Sequence, residues 1–165
     1  MSTLQDATVH VFTFKEGLLS TVAHDLRLSL TRFEVRVDGD AIEVVLWPDS
    51  LRVDGSVKGG RLEPSGLSEK DKAEIVQNAC GRKILDVARW PEVRYRGRRT
   101  GDRVDGTLSL AGRDAPLGFS VREDAGRVRG RLELAPSRWG IAPYKALRGA
   151  IRLKDRVVID FDVAG

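Results

Sequence analysis

The chain has few of the features that mark secreted, metal-binding or membrane-spanning proteins. Among its 165 residues there are one cysteine, Cys80, and two histidines, His10 and His24. One cysteine excludes an intrachain disulfide, and these three residues match no zinc-ligand spacing, so we predict no metal site. No apolar run approaches the roughly 20 residues of a membrane-spanning helix, so no membrane span is predicted. The N-terminal segment has no basic stretch followed by an apolar one, which predicts no signal peptide and a cytoplasmic location.

Nucleotide-binding and catalytic motifs are also missing. The glycine-rich stretch 55–66 lacks the lysine–hydroxyl ending of a phosphate-binding loop and the spacing of a dinucleotide-binding fingerprint. His24 and Asp25 are adjacent, but adjacent strand residues point to opposite faces, so their side chains cannot easily hydrogen-bond each other. We therefore predict no catalytic residue and no enzyme activity.

Charge is plentiful and nearly balanced. There are 28 Lys and Arg residues against 24 Asp and Glu residues, a net charge of +4. Many arginines fall at outward positions of predicted strands within 94–99 and 127–131. Such a face can attract phosphate, or it can be a solvated surface that prevents aggregation between sheet edges. No aromatic residues interleave on it to stack bases, so no nucleic-acid partner is expected.

Alternating apolar residues dominate the chain between Arg103 and Leu134. Three successive segments alternate apolar and polar side chains, which predicts an antiparallel meander with one apolar and one charged face. Breaks at 112–114 and 124–126 predict hairpins. The same alternation runs from Leu26 to Val37 with a one-residue change of phase near Thr31, which predicts a bulge or bend there.

One helix interrupts this pattern. Ser68 followed by Glu69 and Asp71 predicts a capped helix start, and Gly81 predicts its end. A second, shorter helical piece is predicted over 83–88, before Trp90-Pro91. The sequence therefore predicts a single domain over 1–165. It is all-β with minor α content, a coiled antiparallel sheet of about eight strands closing on itself, with a short helical insertion after the fourth strand.

A barrel of about eight strands either fills its interior with side chains or holds one small ligand. Gly106 and Gly130 share the inward parity of neighbouring leucines. Because small inward residues leave volume unfilled, the pattern favours a cavity.

Four stretches, in the same order and covering almost the whole chain, resemble the YceI-like family. They are VHVFTFKEGLLSTVAHDL, ILDVARWPEVRYRG, DGTLSLAGRDAPLGFSV and SRWGIAP. That family consists of lipocalin-like antiparallel barrels enclosing polyisoprenoid quinones in the known cases. The resemblance implies a lipocalin-like barrel lined by alternate residues, with a polyisoprenoid or fatty-acyl lipid inside. Where many members carry a pair of phenylalanines before Asp86, this chain has Ile84-Leu85.

The candidate ligand-binding residues are the apolar and aromatic side chains predicted to line the barrel or its mouth. They are Phe12, Phe14, Leu26, Leu28, Leu30, Tyr95, Leu108, Leu110, Leu117, Phe119, Leu132, Trp139, Ile141, Tyr144, Ile159 and Phe161. His10 shares the parity of Phe12 and Phe14, so it either presents a polar group to the ligand or is satisfied by backbone or water. Trp139 and Tyr144 are either gatekeepers of the mouth or plug residues that seal it.

Two functions follow from this sequence. The first is non-catalytic binding, sequestration or carriage of a hydrophobic small molecule or lipid, with no other cofactor. The second is a ligand-free, filled barrel that acts as a stress-related module or as an interaction module for a protein or an anionic partner. The sequence also leaves open whether the chain forms a homodimer.

Overall fold

The computed structural model describes residues 2–4, 6–16, 24–146 and 151–164. This part contains thirteen strands and one α-helix, α1 (Glu69–Cys80), which lies between β7 and β8. The strands are β1 (Ser2–Leu4), β2 (Ala7–Lys15), β3 (Asp25–Leu30), β4 (Phe33–Asp38), β5 (Ala41–Leu46), β6 (Leu51–Lys58), β7 (Arg61–Glu63), β8 (Val93–Thr100), β9 (Arg103–Leu110), β10 (Arg113–Asp124), β11 (Arg127–Leu134), β12 (Lys145–Ala146) and β13 (Ile151–Ala164).

All strands pair antiparallel in one curled sheet. Its order is β1-β4-β5-β8-β9-β10-β11-β13-β2-β3-β6-β7, with β12 paired to β13. β3 pairs with β6 and β4 pairs with β5, so these four strands are the two halves of one bent hairpin. Hydrogen bonds from Thr31 N to Ser50 O (3.3 Å) and from Trp47 N to Arg32 O (3.2 Å) continue the ladder through the bend. The bent hairpin joins the two ends of the sheet, which closes the curl.

The predicted fold class is confirmed, but the strand count is not. The structure has thirteen strands because the bend at 31–32 and the 3₁₀ turn Pro48–Ser50 each divide a long strand, and β1, β7 and β12 are short additions. When each divided strand is counted once and the short ones are left out, about eight long strands remain. The helix follows β7 rather than the fourth strand. The change in apolar alternation near Thr31 coincides with the bend between β3 and β4, as predicted.

Helix α1 begins and ends where its capping residues predict. Ser68 Oγ accepts a hydrogen bond from Asp71 N at 3.1 Å, and Gly81 is the C-cap. Ile75 and Val76 of the helix pack against Leu28 and Val53 of the sheet. The second helical piece predicted over 83–88 is wrong, because the chain forms consecutive turns there. The backbone of Leu85 and Val87 bonds back to the end of α1, which holds these turns in place without a helix.

The two faces of the sheet differ in character. Cross-strand partners share a face, so the register assigns each residue to the concave or the convex side. The concave side carries a cluster of buried residues formed by Val93, Tyr95, Val104, Leu108, Leu117, Val121, Leu134 and Trp139. The convex side carries arginine and carboxylate side chains, paired across strands as in Arg129↔Asp162 and Arg131↔Asp160.

Candidate functional site

The concave face is the candidate binding surface, and most of the predicted lining residues lie on it. They are Leu26, Leu28, Leu30, Tyr95, Leu108, Leu110, Leu117, Phe119, Leu132, Ile159 and Phe161. The period-two alternation of the meander places them there, because each strand contributes every second residue. Whether they bind a ligand stays a prediction.

Three aromatic side chains form a continuous contact across this face. The ring centroids of Tyr95 and Phe119 are 5.6 Å apart, and those of Phe119 and Phe161 are also 5.6 Å apart. Tyr95 is 5% exposed, and its hydroxyl donates a hydrogen bond to Leu117 O at 2.8 Å. Burial raises the pKa of Tyr95 to about 12, with a smaller contribution from Asp105. The trio is therefore a neutral, rigid part of the lining.

The two inward glycines do not leave empty space, so this part of the cavity prediction is wrong. A Cβ on Gly130 would lie 2.3 Å from Cζ of Phe161, whose ring covers the glycine. A Cβ on Gly106 would lie 2.6 Å from Cα of Gly97. These glycines allow close approach of a ring or a neighbouring strand rather than creating a void.

The concave face nevertheless carries two apolar clusters instead of one. The second cluster consists of Leu26, Leu28 and Val53, with Val11 and the residues of α1 packed on it. Val11 belongs to this cluster, whereas its cross-strand partner Ile159 packs with the cluster around Tyr95. The second cluster is small and lies beside α1, as a satellite of a main core does, and the two clusters meet where Val11 pairs with Ile159.

Many apolar residues of the concave face are only half-buried. They include Ile42, Val44, Leu46, Phe119, Leu132, Ile159 and Phe161.

Thr13 is a polar residue on this face. It lies on β2 between its cross-strand neighbours Leu26 and Val157. Its Oγ1 is buried and has no hydrogen-bond partner, which is true of no other buried side-chain nitrogen or oxygen in the described ranges. Burying a hydroxyl in this way costs about 1–3 kcal/mol. The lining therefore contains one unused hydrogen-bonding group.

The segment after β11 separates the two roles predicted for Trp139 and Tyr144. Trp139 is 1% exposed, and its Nε1 donates to Leu108 O at 2.8 Å, which favours the plug role over the gatekeeper role. Ile141 is buried as well. Tyr144 is half-buried, and its hydroxyl accepts a hydrogen bond from Asn78 Nδ2 of α1 at 3.2 Å. Tyr144 thus lies where the helix meets this segment, at the rim of the concave face.

The prediction that His10, Phe12 and Phe14 face inward is wrong. Phe12 pairs across strands with Val158 and Arg27, and His10 pairs with Asp160, which places all three residues on the convex face. The Arg131 guanidinium lies 5.3 Å from the Phe12 ring, and that of Arg156 lies 4.4 Å from the Phe14 ring. His10 Nδ1 is 3.2 Å from Asp160 Oδ1. On β2 the inward residues are Val9, Val11 and Thr13.

Sequence reasoning also missed other inward residues. Ile42, Val44 and Leu46 on β5 face inward as cross-strand partners of Gly97, Tyr95 and Val93. Their alternation is visible in the sequence, but the opposite parity of β5 is also partly apolar. Which side chains of β5 face inward becomes clear only from the pairing of β5 with β8.

Arginine–carboxylate pairs organise the convex face. Arg94 and Glu92 approach to 2.6 Å, Arg98 and Asp40 to 2.8 Å. Arg127 contacts both Asp6 and Asp162, and these bonds raise the pKa of Arg127. Hydrogen bonds, first from Arg127 and then from Arg129, lower the pKa of Asp162. This pairing agrees with a solvated face over most of the surface.

The geometry of a metal site and of a membrane-spanning helix is absent from the residues that the structure describes. No group of three or more His, Cys, Asp or Glu side chains in these ranges could hold a metal ion. No helix in the same ranges is long and apolar enough to cross a membrane.

A curled antiparallel sheet with an apolar concave face and a helix packed on it defines a lipocalin-like fold. No protein-family model and no curated protein sequence matches the chain significantly. Solved structures do match. BcnA of Burkholderia cenocepacia is 13% identical with a TM-score of 0.62, over 97% of this chain and 98% of that one.

The YceI protein of Campylobacter jejuni is a second structural match. It is 9% identical with a TM-score of 0.50, over 69% of this chain and 70% of its own. A mutant of it with a monobromobimane guest gives a TM-score of 0.51. The chain therefore has a YceI-like fold, which confirms the predicted resemblance at the level of the fold.

Proposed function

We propose that this protein binds a long apolar ligand on its concave face and carries or sequesters it without catalysis. The observation that carries the proposal is the apolar concave face, which has one buried cluster on the meander side and another beside α1, with half-buried apolar residues packed against each. An extended chain placed between the two clusters would complete the core. A polyisoprenoid, such as a quinone tail, or a fatty-acyl lipid is the ligand class that we propose.

The lining indicates what such a site would distinguish. Each buried methylene contributes roughly 0.8 kcal/mol before the cost of ordering the chain. An isoprenoid of several units would therefore bind firmly with little need for hydrogen bonds. One methylene more or less changes the binding free energy by only about 1–3 kcal/mol, so length and overall shape would matter most.

Mass spectrometry of small molecules extracted from the purified native protein tests the proposal directly. We expect a long apolar compound in the extract, together with uptake of an added polyisoprenoid by the emptied protein. Absence of both would contradict the carrier function and favour the second candidate, a filled barrel. That candidate is supported by the fully buried Trp139 and by the ring of Phe161 over Gly130.

A pair of matched substitutions tests which face binds. Phe119→Arg places a charge within the inward aromatic trio, and we expect it to abolish polyisoprenoid uptake. Phe12→Arg makes the same change on the convex face and should leave uptake unchanged. If Phe119→Arg does not fold, Phe119→Trp reduces the space without a charge and should lower uptake. Equal uptake by folded variants at Phe119 and Phe12 would refute the assignment of the concave face.

The absence of catalysis and the cytoplasmic location stay predictions, and whether the chain forms a homodimer stays open. Cys80 is compatible with a reducing compartment, because its thiol is free and contacts Pro48 O at 3.6 Å.

A further inference from the structure

A groove of about 600 Å³ opens among charged residues of the convex face, and Val121, Gly130 and Phe161, whose side chains or positions belong to the concave face, also line it. Arg122, Arg129, Arg131, Asp160, Asp162 and His10 contribute to its lining. The hydroxyl residues Thr8 and Ser120 also border it. The groove is therefore polar at its rim and rich in hydrogen-bond donors.

The groove exists because β10 and β11 diverge. They pair over only four residues each, from Val121↔Gly130 to Asp124↔Arg127. The earlier part of β10 pairs with β9, and the later part of β11 pairs with β13. The groove lies at this divergence, and Val121, Gly130 and Phe161 form part of its lining.

Arg122 has an unusual position among the arginines of this face. It lies directly across from Arg129 in the β10–β11 ladder, and like charges placed opposite each other destabilise a sheet. Arg129 Nε is 3.0 Å from Asp162 Oδ2, so its charge is balanced. The side chain of Arg122 forms no ion pair or hydrogen bond with any residue in 2–4, 6–16, 24–146 or 151–164. Its guanidinium is therefore available for an external anion.

A second guanidinium in the groove is only weakly paired. Arg131 Nη1 is 3.8 Å from Asp160 Oδ2, at the outer limit of an ion pair. Asp160 is shared, because His10 Nδ1 approaches its other oxygen to 3.2 Å. Asp160 and Asp162 oppose anion binding, while Arg127 outside the groove also neutralises Asp162. The excess positive charge thus lies at Arg122 and Arg131.

We infer that this groove binds the phosphate group of a small organic phosphate monoester. Guanidinium groups bind phosphate oxygens through paired, charge-assisted hydrogen bonds, and a monoester carries a charge of about −1.5 to −2 near neutral pH. The charge of a phosphate monoester matches the two available arginines better than the single negative charge of a carboxylate ligand would. The groove is much larger than a phosphate ion, so it has room for the organic part. The inference does not depend on the proposed lipid-carrier function.

Titration of the isotopically labelled full chain with phenyl phosphate, followed by NMR, tests this inference. We expect shifts at β10, β11 and β13, and weaker binding of inorganic phosphate, which lacks the organic part. Arg122→Gln should weaken phenyl phosphate binding about tenfold, as expected for the loss of charge-assisted hydrogen bonds. Asp160→Asn should strengthen it several-fold, because it removes a competing carboxylate. Arg94→Gln, a convex-face control paired with Glu92, should change nothing.

Opposite effects at Arg122 and Asp160 with no effect at Arg94 would support the site. Equal weakening by Arg122→Gln and Arg94→Gln would overturn it in favour of diffuse surface attraction. Equal affinity for phenyl phosphate and inorganic phosphate would overturn the assignment to an organic monoester. Binding to vesicles containing phosphatidic acid, without binding to phenyl phosphate, would overturn it in favour of a lipid headgroup.

Discussion

The concave and convex faces of this sheet are made by the same strands, yet they are held together by different interactions. On the concave face, Tyr95, Phe119 and Phe161 contact one another in surroundings that keep Tyr95 neutral to high pH. On the convex face, arginines and carboxylates pair in contact with solvent, some across strands, as Arg129 with Asp162, and some within one segment, as Arg94 with Glu92. Burial makes each apolar contact valuable, whereas solvent makes each exposed ion pair worth about 0–1 kcal/mol.

This difference implies that equal changes to the two faces should have very unequal effects. Inward substitutions should change stability by several kcal/mol, and outward ones by a small fraction of that. The concave face adds an exception, because Thr13 leaves a buried hydroxyl without a partner. Removal of that hydroxyl should stabilise the protein.

The largest effect is expected at Trp139. Trp139→Ala removes the largest fully buried side chain and leaves Leu108 O without its donor, so we expect a loss of about 3–5 kcal/mol of unfolding free energy. Trp90→Ala is the control, because Trp90 is 36% exposed, and it should cost about 1 kcal/mol or less. Urea denaturation measures both changes in unfolding free energy, provided that the dependence of this free energy on urea concentration has the same slope in each variant. Similar losses for the two variants would contradict the role of Trp139 as a plug.

Tyr95→Phe should have the next largest effect. It removes the hydrogen bond to Leu117 O in a buried setting, with an expected cost of about 1–2 kcal/mol near neutral pH. The raised pKa of Tyr95 stabilises the fold fully below pH 10, and this stabilisation is lost as pH rises from 10 towards about 12. The wild type should therefore lose stability over that range more steeply than Tyr95→Phe. Parallel pH profiles from denaturation would contradict this assignment.

Much of this difference between the faces was predictable from sequence. Between Arg103 and Leu134 only one parity is apolar, so Leu108, Leu117 and Phe119 were assigned to the correct face. On β2 both parities are apolar, and the larger aromatics at Phe12 and Phe14 suggested the wrong one. The inward choice of Val9 and Val11 is set by pairing with β13 and β3, which no local pattern contains.

Features that depend on contacts between distant segments were not predictable. The filling of space at Gly130 depends on the position of Phe161, its cross-strand partner on β13, which is distant from it in the sequence. The groove depends on where β10 and β11 cease to pair. The alternation of each strand gives its faces, but the length over which two strands stay together is decided by the curl of the whole sheet.

Thr13→Val should stabilise the ligand-free protein. Valine has nearly the same shape and removes the unpartnered buried hydroxyl, so we expect a gain of about 1 kcal/mol in unfolding free energy. Thr13→Ser keeps a hydroxyl and loses a methyl group, so it should not be stabilising. Chemical denaturation of the three proteins provides the measurement. A destabilised Thr13→Val variant would show that Oγ1 is satisfied in solution.

The smallest effect is expected at Arg129, on the convex face. Arg129→Glu loses the ion pair with Asp162 but places a carboxylate across from Arg122, and Asp162 keeps Arg127. These changes largely cancel, so stability should change by less than about 0.5 kcal/mol. Thermal denaturation of the variant at low and moderate salt measures the change. A large fall in melting temperature would show that this face is buried in an assembly such as a homodimer. The convex face would then contribute more to stability than its exposure in a single chain indicates.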